Sequence, residues 1–412
     1  MTSPRLLFVS PRFLFPLDQG GKIRTTGVLR AMKGGAFEII LVSPAPPDAG
    51  RHAVDLASVC DRFIAWPAPR FGAIRRALAL AGPLPVAVAS DRSAFGADIV
   101  ARELAARPDV IVVDFPHAAV VLPSRIDLPS VIFTHNVEVE IFERHAAVAK
   151  GIWKPVWQRE AAKMLAFEQA TLRRFATVVA VSQRDGRVLR ERYNLANIET
   201  IDTGVDLDFY TFRPPADTAR TVVFAGAMDS RSNIDGIDFL MDEVWPLVAA
   251  QRPDARMAVV GRNPPPNLVA KAERLRLPWR FTGFVDDIRP EVLAGDVSVI
   301  PLRVGSGTRL KAFEAMALGR PVVSTTLGVE GLAVEPGCHC LVADTAAAFA
   351  ADIVRLLGDA DLRRRLAGTA RKLLEDRFSW AAVGQQFEAI CRRTIAGHLD
   401  RGSPAATFAR HA

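Results

Sequence analysis

Short apolar runs alternate with helical patterns twice over in this chain, and that alternation leaves few folds open. In the first half, residues 5–9, 37–42, 62–65, 110–114, 130–134 and 177–181 read as strands. Between them lie stretches such as 23–33 and 91–106, with apolar residues three and four apart, which read as helices. After 201–215, rich in Asp and closed by two prolines, the pattern restarts with strands at 221–225, 256–260, 280–282, 297–301 and 321–325. Strands that alternate with helices build parallel βαβ units whose sheet is covered on both faces. A chain of 412 residues exceeds what one core usually holds. The expected architecture is therefore α/β, with two doubly wound domains at 1–205 and 206–398. Residues 399–412 read as a flexible tail, and ligands are expected at the carboxyl ends of the strands.

Composition removes several function classes. No run approaches the ~20 apolar residues of a membrane span. The opening MTSPRLLFVSPRFLF is basic and apolar, but Arg12 interrupts it and no small-residue cleavage site follows. It reads as a buried first strand rather than a signal peptide. Cys338-His339-Cys340 is too tightly spaced for a zinc site and lacks a second pair, so no metal is expected. With Cys60 and Cys391, these read as ordinary thiols of a reducing, cytoplasmic compartment. Residues 1–200 hold 26 Lys/Arg against 19 Asp/Glu, whereas the remainder balances at 26 against 26. A basic first half fits a solvated surface, an anionic membrane face or a phosphorylated acceptor. Nucleic acid is not expected, because no reader motif accompanies the charge.

The densest chemistry lies in VGSGTRLKAFEAMALGRPVVSTTLGVEGL, residues 304–332. Gly305, Ser306, Gly307 and Thr308 form a loop that opens a short helix, where bare backbone N–H groups can approach an anion. Arg309 and Lys311 place positive charge in the first turn, where the helix dipole favours negative side chains. That inversion fits a bound diphosphate. Glu314 follows, and a carboxylate accepts two hydrogen bonds from vicinal hydroxyls such as those of a ribose. Gly226 and Arg231, in the loop after the strand at 221–225, add a second close backbone approach and a cation. Arg262 in VGRNPP and Glu330 in GVEGL are further candidates for nucleotide contact. In the first half, Gly20, Gly21 and Lys22 sit between the first strand and first helix, without the spacing of a P-loop. His135 ends a buried strand, the favoured place for a functional side chain in an open α/β sheet. His117 is a weaker candidate of the same kind. Residues 69–82, PRFGAIRRALALAG, mix apolar and basic positions and fit either a membrane-facing helix or a core-facing one.

These motifs also carry a resemblance. The segment 304–332 resembles the donor-binding signature of family 4 glycosyltransferases, retaining enzymes of the two-domain GT-B architecture. FTHNVEVEIFERHA, FATVVAVSQRD, IDTGVDLDFY, FAGAMDSRSNIDGIDFL, VGRNPP and FTGFVDDIRP look like further landmarks in family order. The likeness runs from about Leu6 to about Glu388. It implies two Rossmann-like domains facing across a cleft, the first on the acceptor side and the second holding a nucleotide-diphosphate sugar. It implies transfer of that sugar to a hydroxyl acceptor, a glycan or lipid-linked glycan, with retention and without a cofactor. Peripheral contact with the inner face of an anionic membrane would accompany a lipid-linked acceptor. By resemblance Glu314 holds the nucleotide ribose, and Gly20 with Gly21 face the donor phosphates or the acceptor; Arg309 and Lys311 are expected at the diphosphate, and His135 is expected to hydrogen-bond the transferred sugar. Where many members carry a first glutamate, this chain has Ser306. Two rival readings stay open: a catalytically degenerate scaffold subunit, prompted by Ser306, and a nucleotide-sugar epimerase.

Overall fold

In the computed structural model, which describes residues 3–68, 72–304 and 310–402, the two alternating runs become two parallel sheets. The first contains β1 (Arg5–Val9), β2 (Glu38–Ala45), β3 (Arg62–Pro67), β4 (Val110–Asp114), β5 (Ser130–Phe133), β6 (Thr177–Ala180) and β7 (Ile198–Thr200). Its order is β3-β2-β1-β4-β5-β6-β7, and every pair is parallel. The second contains β8 (Thr221–Ala225), β9 (Arg256–Val260), β10 (Trp279–Phe281), β11 (Val297–Ile300), β12 (Val322–Ser324) and β13 (Leu341–Val342). Its order is β10-β9-β8-β11-β12-β13, again parallel throughout. In each sheet the winding reverses beside the first strand, between β1 and β4 and between β8 and β11. That reversal opens a crevice at the carboxyl ends of those strands.

The central strands β1 and β4 carry unbroken apolar runs because both faces are covered. Leu6, Phe8, Val110, Val112, Val131 and Phe133 feed one core layer, while Leu7, Val9, Ile111, Val113 and Ile132 feed the other. Adjacent residues of a strand thus point to opposite, equally dry sides. The opening segment is the buried strand expected of it, with Leu6 to Val9 fully buried.

The chain divides into two compact units, one running up to Gly204 and resuming at Trp380, the other Val205–Ser379. This corrects the expected boundary, which gave residues 380–398 to the second domain. The reason is the stripe on helix Trp380–Gly402: Val383, Phe387, Ile390 and Cys391 are buried in the same core as β1, β4 and β5. The Trp380 indole fills notches that only Gly27 and Gly204 leave open, since a Cβ at either would lie 2.5 or 2.4 Å from it. That helix also continues to Gly402, past the expected start of the tail at 399. The edge strands β7 and β13 were not foreseen, being three and two residues long.

Candidate functional site

In the second unit the helix Leu310–Ala317 starts near the carboxyl end of β11. It buries Ala312, Phe313, Ala315, Met316 and Ala317, which leaves Lys311 and Glu314 half-buried, one turn apart, on the remaining side. Lys311 Nζ donates to Asn233 Oδ1 at 2.7 Å and stands 5.1 Å from the centre of the Phe224 ring. It reaches there because Gly226 has no side chain: a Cβ on Gly226 would lie 2.3 Å from that ammonium. The next loop closes on the same point. Gly226 N–H donates to Val260 O at 2.8 Å, and a Cβ on Gly261 would lie 1.9 Å from Gly226 O.

Glu314 and Lys311 border a small cavity with Ala225, Ile288, Val292, Ser298 and Ile300. Burial raises the Glu314 pKa, against the opposing effects of the Tyr210 hydroxyl, which hydrogen-bonds it, and of Lys311. Tyr210 is correspondingly raised, first by burial and then by the Glu314 charge. Tyr210 was missed in the sequence, where IDTGVDLDFY served as a landmark without a role. Its signal was a hydroxyl on an otherwise apolar ring at the end of that motif.

The other candidates of this unit lie further out. Arg231 is the exposed first residue of helix Arg231–Phe239. Arg262 Nε pairs with Asp229 at 3.1 Å and is more than half exposed. Glu330 is exposed at the end of the short helix Leu327–Val329. Gly305, Ser306, Gly307, Thr308 and Arg309 lie outside the described residues. Glu335, Cys338 and His339 bring three potential ligand atoms within 4.8 Å of one another. However, the Glu335 N–H donates to His339 Nδ1 at 2.9 Å. That bond puts the ring proton of neutral His339 on Nε2, leaving neither nitrogen a lone pair for a metal.

In the first unit a buried polar network sits at the β1/β4 reversal. Asp114, at the end of β4, accepts from Ser10 Oγ at 2.9 Å and from Thr25 Oγ1 at 3.0 Å, and contacts His135 Nε2 at 2.7 Å. Arg24, on helix Gly20–Met32, lies 3.2 Å from His135 Nδ1, and its Nε donates to Thr203 Oγ1 at 3.0 Å. A guanidinium only donates, so Nδ1 accepts and the imidazole proton lies on Nε2, directed at Asp114. Burial lowers the His135 pKa although Asp114 opposes it, which agrees with a neutral ring. Burial likewise lowers Arg24 to about 10. The His135 ring is walled in by Phe115, stacked at 4.0 Å, and Phe133 at 4.4 Å. Both ring nitrogens are thus engaged inside the unit, and His135 presents no free nitrogen to a sugar in this arrangement.

Phe115 holds that ring with φ +62° and ψ 144°, a backbone region that non-glycine residues occupy only under strain. Its ring also explains Gly21, where a Cβ would lie 2.5 Å from it. Gly20 meets no such restriction, and Lys22 turns back to Asp18 at 3.0 Å and to Pro16 O at 3.3 Å. His117 lies between Asp91 Oδ2 at 3.4 Å and Glu138 Oε2 at 3.7 Å. Burial disfavours its charge, yet the two carboxylates prevail and raise its pKa. Glu168 anchors the following helix, Glu138–Val148, by accepting the N–H groups of Glu138 and Val139 at 2.9 and 3.1 Å, together with the Tyr193 hydroxyl at 2.6 Å. Burial pushes Glu168 up to about 7 even against those donors.

The profile of Glycosyltransferase Family 4 matches residues 20–209, and that of Glycosyl transferases group 1 matches residues 219–359. The chain belongs to the group 1, family 4 glycosyltransferases. A relative of this family 4 chain, a phosphatidyl-myo-inositol mannosyltransferase of Mycolicibacterium smegmatis, is 29% identical over 227 residues, covering 53% of this chain and 57% of that protein. The chain thus spans just over half of that relative's length. A glycogen synthase of Mycobacterium tuberculosis is 26% identical over 295 residues, 67% of each protein. Among solved structures, sucrose-phosphate synthase from Thermosynechococcus elongatus aligns at TM-score 0.63 and 20% identity, over 96% of this chain and all of that one. Anabaena HepE, solved in complex with UDP and glucose, aligns at 0.62 and 17%, over 94% and 98%. These likenesses give the family 4 chain the GT-B fold of two parallel α/β units. No helix among the described residues is long and apolar enough to cross a membrane.

Proposed function

We propose that this chain is a retaining glycosyltransferase that moves a sugar from a nucleoside-diphosphate donor to a hydroxyl of a glycan or lipid-linked acceptor. The observation that carries the reading is the Lys311–Glu314 face of helix Leu310–Ala317, set against the bare backbone of Gly226. Glu314 offers a carboxylate to the ribose hydroxyls, and Lys311 offers a positive charge to the diphosphate. As the glycosidic bond breaks, negative charge grows on the departing diphosphate, and a fixed ammonium stabilises it without further reorganisation. Arg309, Gly305, Ser306, Gly307 and Thr308 are assigned to the same task, and Arg231, Arg262 and Glu330 to the outer donor shell. The acceptor hydroxyl attacks from the side the diphosphate leaves, and a diphosphate oxygen takes its proton, so the configuration at the anomeric carbon is kept. No cofactor or metal enters this scheme.

On the acceptor side, Gly20, Gly21 and Lys22 border the crevice, and His135 acts through its buried network rather than as a nucleophile. The engagement of both His135 nitrogens weighs against an epimerase, which needs a free acid–base group. The names of relatives support the class: a mannosyltransferase, a glycogen synthase and a neighbour crystallised with UDP and glucose. The test is thermal stabilisation by UDP, GDP and ADP, on the wild-type chain and on Glu314→Ala. One diphosphate should raise the melting temperature of the wild type, and Glu314→Ala should abolish the shift. If none acts at millimolar concentration, the donor pocket is refuted and the scaffold reading takes its place.

A further inference from the structure

The first unit displays apolar side chains where a water-facing surface needs none. Helix Ala73–Ala81 sets apolar positions beside basic ones, Leu78 next to Arg75 and Leu80 next to Arg76, and its described side chains from Arg75 to Leu78 are all exposed, Leu78 to 68%. It is fastened at its carboxyl end by cations of helix Trp153–Leu172. Lys163 Nζ donates to Ala79 O and Leu80 O at 3.2 and 2.7 Å, and Arg159 donates to Ala81 O at 3.2 Å. The same long helix begins with a second display. Ile152 is 78% exposed and Trp153 59%, at the turn that joins helix Glu138–Val148 to helix Trp153–Leu172.

That turn is not a loose end. One helical turn after Trp153, Trp157 stacks on His145 at 4.5 Å and meets Phe142 edge-on at 5.9 Å, which ties the two helices together. Between them runs a groove lined by Ala146, Ala147, Ala161, Ala162 and Leu165, with Lys154, Gln158 and Glu143 as its polar members, Glu143 paired with Arg192. Charge follows the apolar tip. From Arg144 to Arg159 the sequence holds four Lys/Arg and no Asp or Glu, and residues 73–81 hold two Arg and no acid. Lys150 and Lys154 flank Ile152 and Trp153 directly, and both are exposed.

We infer that the 150–154 turn, with helix Ala73–Ala81, is a docking surface for an anionic phospholipid bilayer. The amphipathic indole of Trp153 suits the headgroup boundary, Ile152 and Leu78 suit the acyl region just beneath, and the flanking cations suit the phosphates. A protein partner would need a specific acidic surface placed against Arg75, Arg76, Lys150 and Lys154, all exposed, whereas an anionic lipid surface matches such a basic rim without any specific geometry. This surface goes beyond the donor reading and does not depend on it, although it fits an acceptor carried on lipid.

The test is sedimentation of the full chain with vesicles of phosphatidylcholine alone and of phosphatidylcholine with 30% phosphatidylglycerol. The wild type should bind the anionic vesicles, and binding should weaken with added salt. Lys150→Gln with Lys154→Gln should weaken it about 25-fold, at roughly fivefold for each lost cation. Ile152→Ser with Trp153→Ser should weaken it at least tenfold, while melting temperature and the diphosphate-induced shift stay those of the wild type. Those two solution readouts separate failure of this surface from failure of the donor pocket. The inference is overturned if the wild type ignores anionic vesicles, or if neither double variant changes binding. It is equally overturned if the wild type is a dimer in solution that Ile152→Ser/Trp153→Ser dissociates without any vesicle binding, since the face would then join two copies.

Discussion

Replacing Gly226 with alanine should separate ligand binding from folding. The new Cβ would lie 2.3 Å from Lys311 Nζ and 3.0 Å from Asn233 Nδ2, and the first of these is the far end of a flexible side chain. The lysine therefore swings aside while the backbone stays, and stability falls by less than about 1 kcal/mol. For the second unit, Val205–Ser379, that is a drop in melting temperature of about 2–4 °C. The displaced ammonium is lost to the ligand. A hydrogen bond to a charged group is worth about 1.5–3 kcal/mol, so the nucleoside diphosphate should bind roughly 10- to 150-fold more weakly. Gly261→Ala supplies the contrast. Its Cβ would lie 1.9 Å from Gly226 O and 2.7 Å from Gly226 C, so only backbone can yield. That overpacking should cost about 1–3 kcal/mol or more. Titration calorimetry and thermal melts of both variants decide the matter. If Gly226→Ala binds diphosphate as the wild type does, or melts as early as Gly261→Ala, the assignment of Lys311 to the diphosphate is wrong.

Three further outcomes are expected. Glu168 is raised to about 7 when folded, against an ordinary value of 4.5, so between those values the native state holds a proton that the unfolded chain releases. Stability should fall as pH rises from about 4.5 to 7 and then level off, by up to about 3 kcal/mol; urea titrations should show Glu168→Gln without this slope. Asp114→Ala removes the acceptor shared by Ser10, Thr25 and His135 and leaves Arg24 buried without that counter-charge, which should cost about 3–5 kcal/mol in chemical denaturation. Phe387→Ala, in the returning helix, should cost about 3–5 kcal/mol and lower the melting temperature of the first unit while the diphosphate-induced shift persists.

Sequence patterns revealed the repeating architecture because a strand covered on both faces leaves an unbroken apolar run, as at Leu6–Val9 and Val110–Val113. They did not reveal β7, whose Ile-Glu-Thr carries no such run. Val383, Phe387, Ile390 and Cys391 stand at helical spacing, but such a stripe does not name the sheet it will meet. The shared helix face of Lys311 and Glu314 was legible in the same way, from their spacing of three. Tyr210, about a hundred residues earlier, joins Glu314 only through the tertiary fold. The first-unit network was the least legible. Arg24 belongs to no motif, and only the contact with His135 Nδ1 shows that it selects the imidazole tautomer. The strain at Phe115 has no sequence signature at all, since Phe is not a residue that advertises a positive φ.

The return of helix Trp380–Gly402 to the first unit sets an order on biosynthesis. The side of β1, β4 and β5 that receives Phe387 and Cys391 is translated before the second unit, but its cover is made only after that unit is complete. At about 5–20 residues per second, the intervening second unit alone takes roughly 9–35 s to synthesise. Throughout that interval an apolar face of the nascent sheet stands open, while the second unit, whose sequence is continuous, can close on the ribosome. A cell making this protein must therefore shield an older half that waits for a younger one, and nascent-chain chaperones should hold it longer than its size alone would require.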